Sequence, residues 1–181
     1  MPQTRRRLIL RAIKGGFVPP LPAKQKWCGW YSAILDLIPT LPESFFAPWQ
    51  LTRMPYLTRT CLIEGRNTIR HCTVRYVNEP SPCVTALWMC RPVVTPRAFI
   101  VDDQDNGTLR TIQASAEYSA AKAWLENVRV VAMTPRAVAR FQSFPDSYQL
   151  PEKNNLACRV LGNAVPPLLA QKLLETINQV S

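Results

Sequence analysis

The first residues of the chain carry a side-chain pattern that suits charge recognition. Gln3, Arg5 and Arg7 alternate along the sequence, so a strand would place all three on one face. A guanidinium is a permanently charged donor of fixed geometry. Runs of arginine are more often solvated or phosphate-facing patches, and the pattern by itself favours that simpler interpretation.

A second candidate site lies near the end of the chain. Gly162, Asn163 and Ala164 precede two prolines, Pro166 and Pro167, that predict the start of the last helix. Gly162 would let the backbone approach a ligand closely, and Asn163 offers an amide donor and acceptor. A turn that only leads into a helix would tolerate the same residues.

A third segment combines a strong helix start with an unusual tail. Thr134 followed by Pro135 predicts an N-cap and a proline at the first helical position. The helix is predicted to stop before Pro145. An amphipathic helix accounts for Val138 and Phe141 on one face, but not for the Phe-Pro-Asp-x-Tyr sequence that follows.

Composition points to a folded protein with an anionic partner. Of 181 residues 47% are apolar, which is enough to bury a core in one compact domain or two small ones. Lysine and arginine outnumber aspartate and glutamate by 22 to 12, and the formal net charge is +10. Such an excess suits nucleic acid, although a plain basic protein would show it too.

Neither a metal site nor a membrane span is predicted. The six cysteines form no Cys-x-x-Cys pair, and His71 stands beside Cys72 without a second metal-type pair. No apolar run approaches the roughly 20 residues of a membrane-spanning helix. The start resembles a twin-arginine signal, but its apolar stretch ends at once at Arg11. The sequence therefore predicts a cytoplasmic protein with free thiols, beginning on a basic strand.

Proline positions and apolar periodicity set the expected elements. Many of the 17 prolines lie between residues 19 and 96, where they forbid long helices. Loops and short strands are therefore predicted there. The predicted strands cover residues 73–77, 83–89 and 97–101, and the predicted helices cover 30–37, the segment after Thr134, and 166–180. The last helix carries an apolar stripe that must pack on something, formed by Leu169, Leu173, Ile177 and Val180.

Together, the three segments resemble motifs of DNA cytosine-5 methyltransferases. The arginine segment is similar to the family's eighth motif, Gln-x-Arg-x-Arg, and residues 158–167 resemble the tenth, Gly-Asn-Ala-Val-Pro-Pro. Residues 133–148 carry the most specific match, to the ninth motif Thr-Pro-Arg-Glu-x-Ala-Arg-Leu-Gln-x-Phe-Pro-Asp-x-Tyr. That match departs at Ala137, where a glutamate could close a capping box onto Thr134.

The resemblance implies an α/β protein built from two parts. It would hold the carboxyl-terminal portion of a Rossmann-like methyltransferase domain and a small mixed, mainly β target-recognition domain. Residues 1–15 would be a strand of the catalytic domain, 16–128 the recognition domain, and 129–181 the ninth and tenth motifs returning to the catalytic domain. The implied partner is double-stranded DNA, and the implied cofactor is S-adenosylmethionine.

The resemblance also implies roles for individual residues. Arg7 would donate to O2 of an extruded cytosine and Arg5 to nearby polar groups or phosphate, with Gln3 in support. The tenth motif would touch S-adenosylmethionine, once the rest of the pocket is present, through Gly162, Asn163 and Ala164. The ninth motif would be structural, through Thr134, Arg136, Arg140, Pro145 and Asp146.

Three motifs that the family's chemistry requires are absent from the sequence. The family attacks C6 of a flipped cytosine with a cysteine and transfers a methyl group to C5. It does so with a Pro-Cys-Gln loop, a Glu-Asn-Val motif and a glycine-rich loop, all normally before the eighth motif. Pro82-Cys83 is followed by Val84, and Glu126-Asn127-Val128 comes after the eighth motif, so both are interpreted as chance matches.

The first hypothesis is therefore a split methyltransferase. The chain would be its carboxyl-terminal subunit or a fragment, inactive without a separately encoded amino-terminal half, and a start almost on the eighth motif favours this expectation. The alternatives are a stand-alone DNA-binding module and an inactive remnant without a partner. Methylation on mixing with an amino-terminal half separates the first from the others. The DNA target is not predicted, because base-reading residues lie on recognition loops.

Overall fold

A computed structural model describes residues 9–12, 14, 16–45, 60–64, 73–84, 98–102 and 129–178. Four α-helices lie in these ranges: α1 (Trp30–Ile34), α2 (Pro135–Phe141), α3 (Asn154–Asn163) and α4 (Pro167–Asn178). A short 3₁₀ helix spans Ile38–Thr40. Four strands complete the set: β1 (Cys61–Glu64), β2 (Thr73–Tyr76), β3 (Ala98–Asp102) and β4 (Arg129–Ala132).

The strands form one antiparallel sheet in the order β2-β1-β3-β4. Ile63 of β1 pairs with Val74 on one side and Phe99 on the other. Beyond β4, the Ser44 amide donates to the Val130 carbonyl at 2.9 Å, and Glu43 forms a bridge with Val131. Apart from the β1–β2 pair, the sheet is therefore held by pairings between segments that are far apart in sequence.

A single hydrophobic core joins the helices to the sheet. Trp30 and Ile34 of α1 are fully buried, as are Val131 of β4, Phe141 of α2 and Leu161 of α3. The core therefore takes residues from both sides of residue 128, where the sequence places the end of the recognition domain. Burial of these apolar side chains, at about 25 cal/mol per Å², is the main favourable term that holds the elements together.

The structure confirms part of the predicted secondary structure. Strands β2 and β3 match the segments 73–77 and 97–101 to within one residue, and α2 starts and stops where expected. The predicted helix over 30–37 is shorter, since α1 ends at Ile34 and continues as turns. In the predicted strand 83–89, residues 83–84 are irregular and the rest lies outside the described residues.

Among the strands and α-helices, three are new relative to the sequence expectations. Strands β1 and β4 and helix α3 were not predicted. Residues 9–12 are not in a strand, whereas a basic strand was expected to reach Leu10. Arg5 and Arg7 lie outside the described residues. Helix α4 extends at least to Asn178, and Val180 lies beyond the described range.

Candidate functional site

Helix α2 begins as the sequence predicts. The Thr134 hydroxyl accepts a hydrogen bond from the Ala137 amide at 3.4 Å, and Pro135 occupies the first helical position. Ala137 is fully buried in the core. A glutamate in this place would bury a carboxylate, so core packing here takes the position that a capping box would use.

Arg140 joins α2 to two other parts of the chain. Its guanidinium makes a two-pronged ion pair with Asp146, with Nε to Oδ1 at 2.9 Å and Nη2 to Oδ2 at 2.5 Å. It also pairs with Asp36, just after α1, and donates to the Ala33 carbonyl at 3.4 Å. The Arg140 side chain is only 19% exposed, while both carboxylates are largely exposed. A planar guanidinium can bind one carboxylate with two parallel hydrogen bonds and still serve other acceptors, whereas the ammonium of lysine lacks this fixed fork.

Arg136 contacts the Phe-Pro-Asp-x-Tyr segment that follows α2. Its guanidinium donates to the Tyr148 carbonyl at 2.8 Å and to the Pro145 carbonyl at 3.4 Å. The Tyr148 amide closes a turn onto the Pro145 carbonyl at 3.0 Å, and its ring lies 4.8 Å from that of Phe144. The Phe-Pro-Asp-x-Tyr sequence is thus a turn that the arginines of the preceding helix fix in place.

The Arg140 ion pairs predict an acid-dependent loss of stability. Hydrogen bonds from Arg140 hold the pKa of Asp36 and the pKa of Asp146 below their usual range. A carboxyl whose pKa is lower in the folded state adds stability above its unfolded pKa, and that stability disappears as the pH falls through the folded pKa. The free energy of unfolding should therefore drop as the pH falls below about 4.

Arg140→Gln should flatten this pH dependence, because the carboxyls then titrate nearly as in the unfolded chain. Denaturant titrations from pH 5 down to pH 2.5 measure the slope. Arg159→Gln removes an equal charge from an exposed position on α3 and should keep the wild-type slope. Equal slopes for wild type and Arg140→Gln would show that the ion pairs do not contribute to folding.

The two residues that follow α2 form hydrogen bonds on both sides of the turn between α3 and α4. Gln142 is fully buried, and its side-chain amide donates to the carbonyl of Leu161. The next residue, Ser143, accepts from the Leu168 amide at 3.2 Å, in the first turn of α4. Neither contact was predicted, because each needs the folded arrangement of two segments. The pair fixes the turn that carries Asn163.

Ser143 reaches this position in a backbone conformation that favours glycine, with φ of 62°. Ser143→Ala should lower the free energy of unfolding by about 1 kcal/mol, because the hydrogen bond to Leu168 is lost. Ser143→Gly loses the same bond but relieves the backbone, so it should be more stable than Ser143→Ala by roughly 1 kcal/mol. Denaturant unfolding of the three proteins measures both differences. Alanine equal to or better than glycine would contradict this description of the turn.

The structure places the three candidate cofactor residues of the tenth motif at the end of α3 and just after it. Gly162 is buried in its last turn, Asn163 is its exposed last residue, and Ala164 is half-buried with an extended backbone. The Ala164 amide donates to the Val160 carbonyl at 2.9 Å. The turn to α4 therefore presents the Asn163 carboxamide to solvent, where it can meet a polar ligand.

Three of the four described cysteines are buried or half-buried, and the fourth, Cys28, is exposed. Cys61 and Cys158 are buried, and burial raises the pKa of the Cys61 thiol to about 12. Cys83, of the Pro-Cys chance match, is half-buried and donates to the Val84 carbonyl at 3.7 Å. The other chance match, Glu126-Asn127-Val128, lies outside the described residues.

The described residues contain neither a metal-binding cluster nor a membrane-spanning helix. Within the ranges given above, no group of three or more histidine, cysteine, aspartate or glutamate side chains could hold a metal ion. In the same part of the chain, no helix has both the length and the apolar character that crossing a bilayer requires.

Gln3, Arg5 and Arg7 lie outside the described residues, but a nearby arginine is visible. Arg11 donates to the hydroxyl of Thr176 on α4 at 3.3 Å, and also to the carbonyls of Pro19 and Pro20. Sequence reasoning singled out neither Arg11 nor Thr176, because nothing in their local sequence indicates that they meet. The contact brings the segment after the arginine motif to the last helix.

The chain belongs to the C-5 cytosine-specific DNA methylase family, whose model matches residues 1–179. This family acts on DNA and uses S-adenosylmethionine. The match spans all three motif segments, and the mixed helix and strand content agrees with an α/β methyltransferase.

Two curated proteins are similar to short stretches of the chain. The Type II methyltransferase M.AgeI of Thalassovita gelatinovora is 55% identical over 42 residues, which are 23% of this chain and 10% of that protein. The Type II methyltransferase M.AplI of Arthrospira platensis is 44% identical over 45 residues, 25% of this chain and 13% of that protein. The aligned stretches thus cover only a small part of either relative. No solved structure gives a significant match.

One exposed group of the described residues fits the chemistry of the family's cofactor. The exposed Asn163 carboxamide offers a donor and an acceptor at a turn whose position Gln142 and Ser143 fix. Such a group suits a polar edge of S-adenosylmethionine. A single turn would not enclose the cofactor, so a pocket here would also need other segments.

Proposed function

We propose that this chain supplies target recognition and the closing motifs of a DNA cytosine-5 methyltransferase, and that a separately encoded amino-terminal half supplies the catalytic cysteine. The reaction would be methylation of cytosine C5 in duplex DNA. One observation carries the proposal: α2, of the ninth motif, is built into the core of this chain, whereas α4, of the tenth motif, lies outside that core.

The exposed apolar residues of α4 support a missing neighbour. Leu174 is 59% exposed and Leu168 is 46% exposed. The predicted stripe of Leu169, Leu173 and Ile177 is only half-buried, and none of residues 167–177 is fully buried. An amphipathic helix gains most of its stability from packing its apolar face, so α4 is expected to complete its packing on another domain.

The contact between Arg11 and Thr176 supports a single docking surface. It places the segment that follows the arginine motif beside α4. Both would then meet the catalytic half together, as the family's eighth and tenth motifs would require. In that assembly Arg7 and Arg5, with Gln3, would hold the extruded cytosine, and Asn163 with Ala164 would hold an edge of the cofactor. S-adenosylmethionine supplies the methyl group when bound.

Amide hydrogen exchange tests this assembly. Adding an amino-terminal half that carries a Pro-Cys-Gln loop should slow exchange across residues 167–178, because the docked helix loses access to solvent. Residues 135–141 are the internal control, since their core is complete within this chain and their exchange should not change. Slow exchange of 167–178 in a monomeric isolated chain, unchanged on mixing, would contradict the proposal.

A stand-alone DNA-binding module is the second candidate function. It is favoured by the closed core, which joins α1, β4, α2 and α3 without any contribution from α4. In that case the isolated chain would select one short duplex sequence tightly. Under the first proposal its binding alone should be weak, salt-sensitive and only slightly selective, because phosphate contacts carry little sequence information.

A further inference from the structure

The positive charge of the chain is concentrated at its beginning. The first acidic residue is Asp36, and seven lysines and arginines precede it. This short segment therefore carries +7 of the formal net charge of +10. In the remaining residues the two signs nearly balance. An uneven distribution of this size indicates that the beginning of the sequence attracts a polyanion more strongly than the remainder does.

Part of this segment is an exposed strap over residues 17–28, here called the basic strap. It has no regular secondary structure, and only Pro19 is buried. Leu21 is 66% exposed and Trp27 is 62% exposed, and Lys24 and Lys26 are exposed between them. Large apolar side chains interleaved with lysines are an arrangement that binds nucleic acid through charge and ring packing.

The basic strap is fixed at both ends and is not a loose tail. At its start, Arg11 donates to the carbonyls of Pro19 and Pro20 and to the Thr176 hydroxyl. At its end, the chain passes so close to β2 and the following turn that a Cβ on Gly29 would lie 2.2 Å from the Val77 carbonyl oxygen. The prolines also restrict its backbone, so ordering it on a ligand costs little further entropy.

Trp27 and Trp30 show that exposure of the strap is a specific arrangement. Trp30 is fully buried, its amide donates to the Glu79 carbonyl at 2.8 Å, and its indole N–H donates to the Arg75 carbonyl at 3.0 Å. Trp27, three residues earlier, is left outside. The fold therefore anchors the end of the strap on one tryptophan and presents the other.

We propose that the basic strap binds the sugar-phosphate backbone of the DNA duplex. Lys24 and Lys26 would contact phosphates, and Trp27 would pack beside them on the sugars. Such contacts orient a duplex without reading its sequence. The inference rests on the proposed function in one respect, that this chain acts on duplex DNA, and it does not depend on where the catalytic cysteine lies.

Salt dependence of binding tests the two lysines. In the full chain, Lys24→Gln with Lys26→Gln should make the plot of log affinity against log salt less steep by about 1.8, since each lost phosphate contact removes about 0.9. The matched control is Lys153→Gln with Arg159→Gln, which removes the same charge from exposed positions at α3. Equal changes in both double variants would show a general effect of net charge and would overturn the proposal.

Thiol labelling of Cys28 tests the site without any need for activity. Cys28 is exposed beside Trp27, and the half-buried Cys83 serves as an internal control. A short duplex should slow alkylation of Cys28 several-fold, as located by peptide mass spectrometry, and should leave Cys83 unchanged. Unchanged Cys28 labelling at saturating DNA would overturn the proposal, as would protection by the catalytic half in the absence of DNA.

These readouts separate this inference from the proposed function. If DNA protects Cys28 in a mixture of halves that transfers no methyl group, the strap proposal is supported and the split-enzyme proposal is contradicted. If methyl transfer occurs while Cys28 stays unprotected, the split-enzyme proposal is supported and the strap proposal is contradicted.

Discussion

Arg7→Ala is expected to lower turnover of the reconstituted methyltransferase by roughly 10²–10³-fold, the usual effect of removing one fixed donor from a reacting group. Affinity for the duplex should change far less, because many other contacts to phosphate remain. The reason is the role that the family resemblance implies, a charged donor to O2 of the extruded cytosine. Single-turnover methylation and DNA titration measure the two quantities separately.

Arg6→Ala is the matched control for this prediction. Alternation along a strand would place Arg6 on the opposite face from Arg5 and Arg7, so the same charge is lost away from the cytosine pocket. Turnover at saturating DNA should then stay near that of the unmodified protein. If Arg7→Ala and Arg6→Ala weaken affinity and turnover alike, the arginine segment is a plain phosphate contact.

Trp30→Ala is expected to lower the free energy of unfolding by about 3–5 kcal/mol, the usual cost of removing a large aromatic side chain from a core. Trp30 is fully buried, packs edge-on against Tyr31 with ring centres 5.5 Å apart, and donates to the Arg75 carbonyl. Its removal leaves a cavity and a carbonyl without its partner. The loss is comparable to the whole stability of a small domain, about 5–15 kcal/mol.

Trp27→Ala makes the same chemical change three residues earlier. Because Trp27 is mostly exposed, the free energy of unfolding should change by no more than about 0.5 kcal/mol. Denaturant titrations of both variants give the comparison. Similar losses in the free energy of unfolding for the two variants would mean that Trp30 contributes no more to the core than Trp27 does.

Local signals were enough to predict the elements that carry their own start and stop. Thr134 and Pro135 fix the beginning of α2 through capping and a preset φ, and these effects act within one turn. Strands β2 and β3 were predicted from β-branched and aromatic residues bounded by turns or prolines. The ninth-motif resemblance implied structural roles for Arg136 and Arg140, whose guanidinium groups donate to the turn after α2.

Long-range pairing explains the strands that the sequence did not predict. Strand β1 has only four residues, and it is defined by pairing with β2 on one side and β3 on the other. Strand β4 similarly depends on β3 and on the chain around Glu43. Strand β2 is equally short, so length is not the reason; the partners that define β1 and β4 are not evident from local sequence.

Helix α3 was missed because its start carries no strong local signal. Its N-cap, Lys153, makes no side-chain capping bond, and Gly162 and Asn163 at its end are weak helix formers. The helix forms because Ala157, Cys158 and Leu161 are buried. Tertiary packing outweighs propensity here.

The contacts that position the candidate site also depend on the fold. Arg140 was singled out from the motif, but its partner Asp36 is 104 residues away and carries no motif of its own. The contacts of Gln142 with Leu161 and of Ser143 with Leu168 join the ninth motif to the tenth. A motif indicates which residues matter, and only the folded chain shows which of them touch.

The central proposal is tested most directly by methyl transfer on mixing. An amino-terminal half, from a neighbouring reading frame that ends near a Glu-Asn-Val motif, would be combined with this chain, labelled S-adenosylmethionine and duplex DNA. Label is expected at cytosine C5 only when both halves of the enzyme are present. It should disappear when the cysteine of the Pro-Cys-Gln loop is replaced by alanine. A stable complex of the two halves that binds DNA and transfers no methyl group, or transfer by this chain alone, would contradict the proposal.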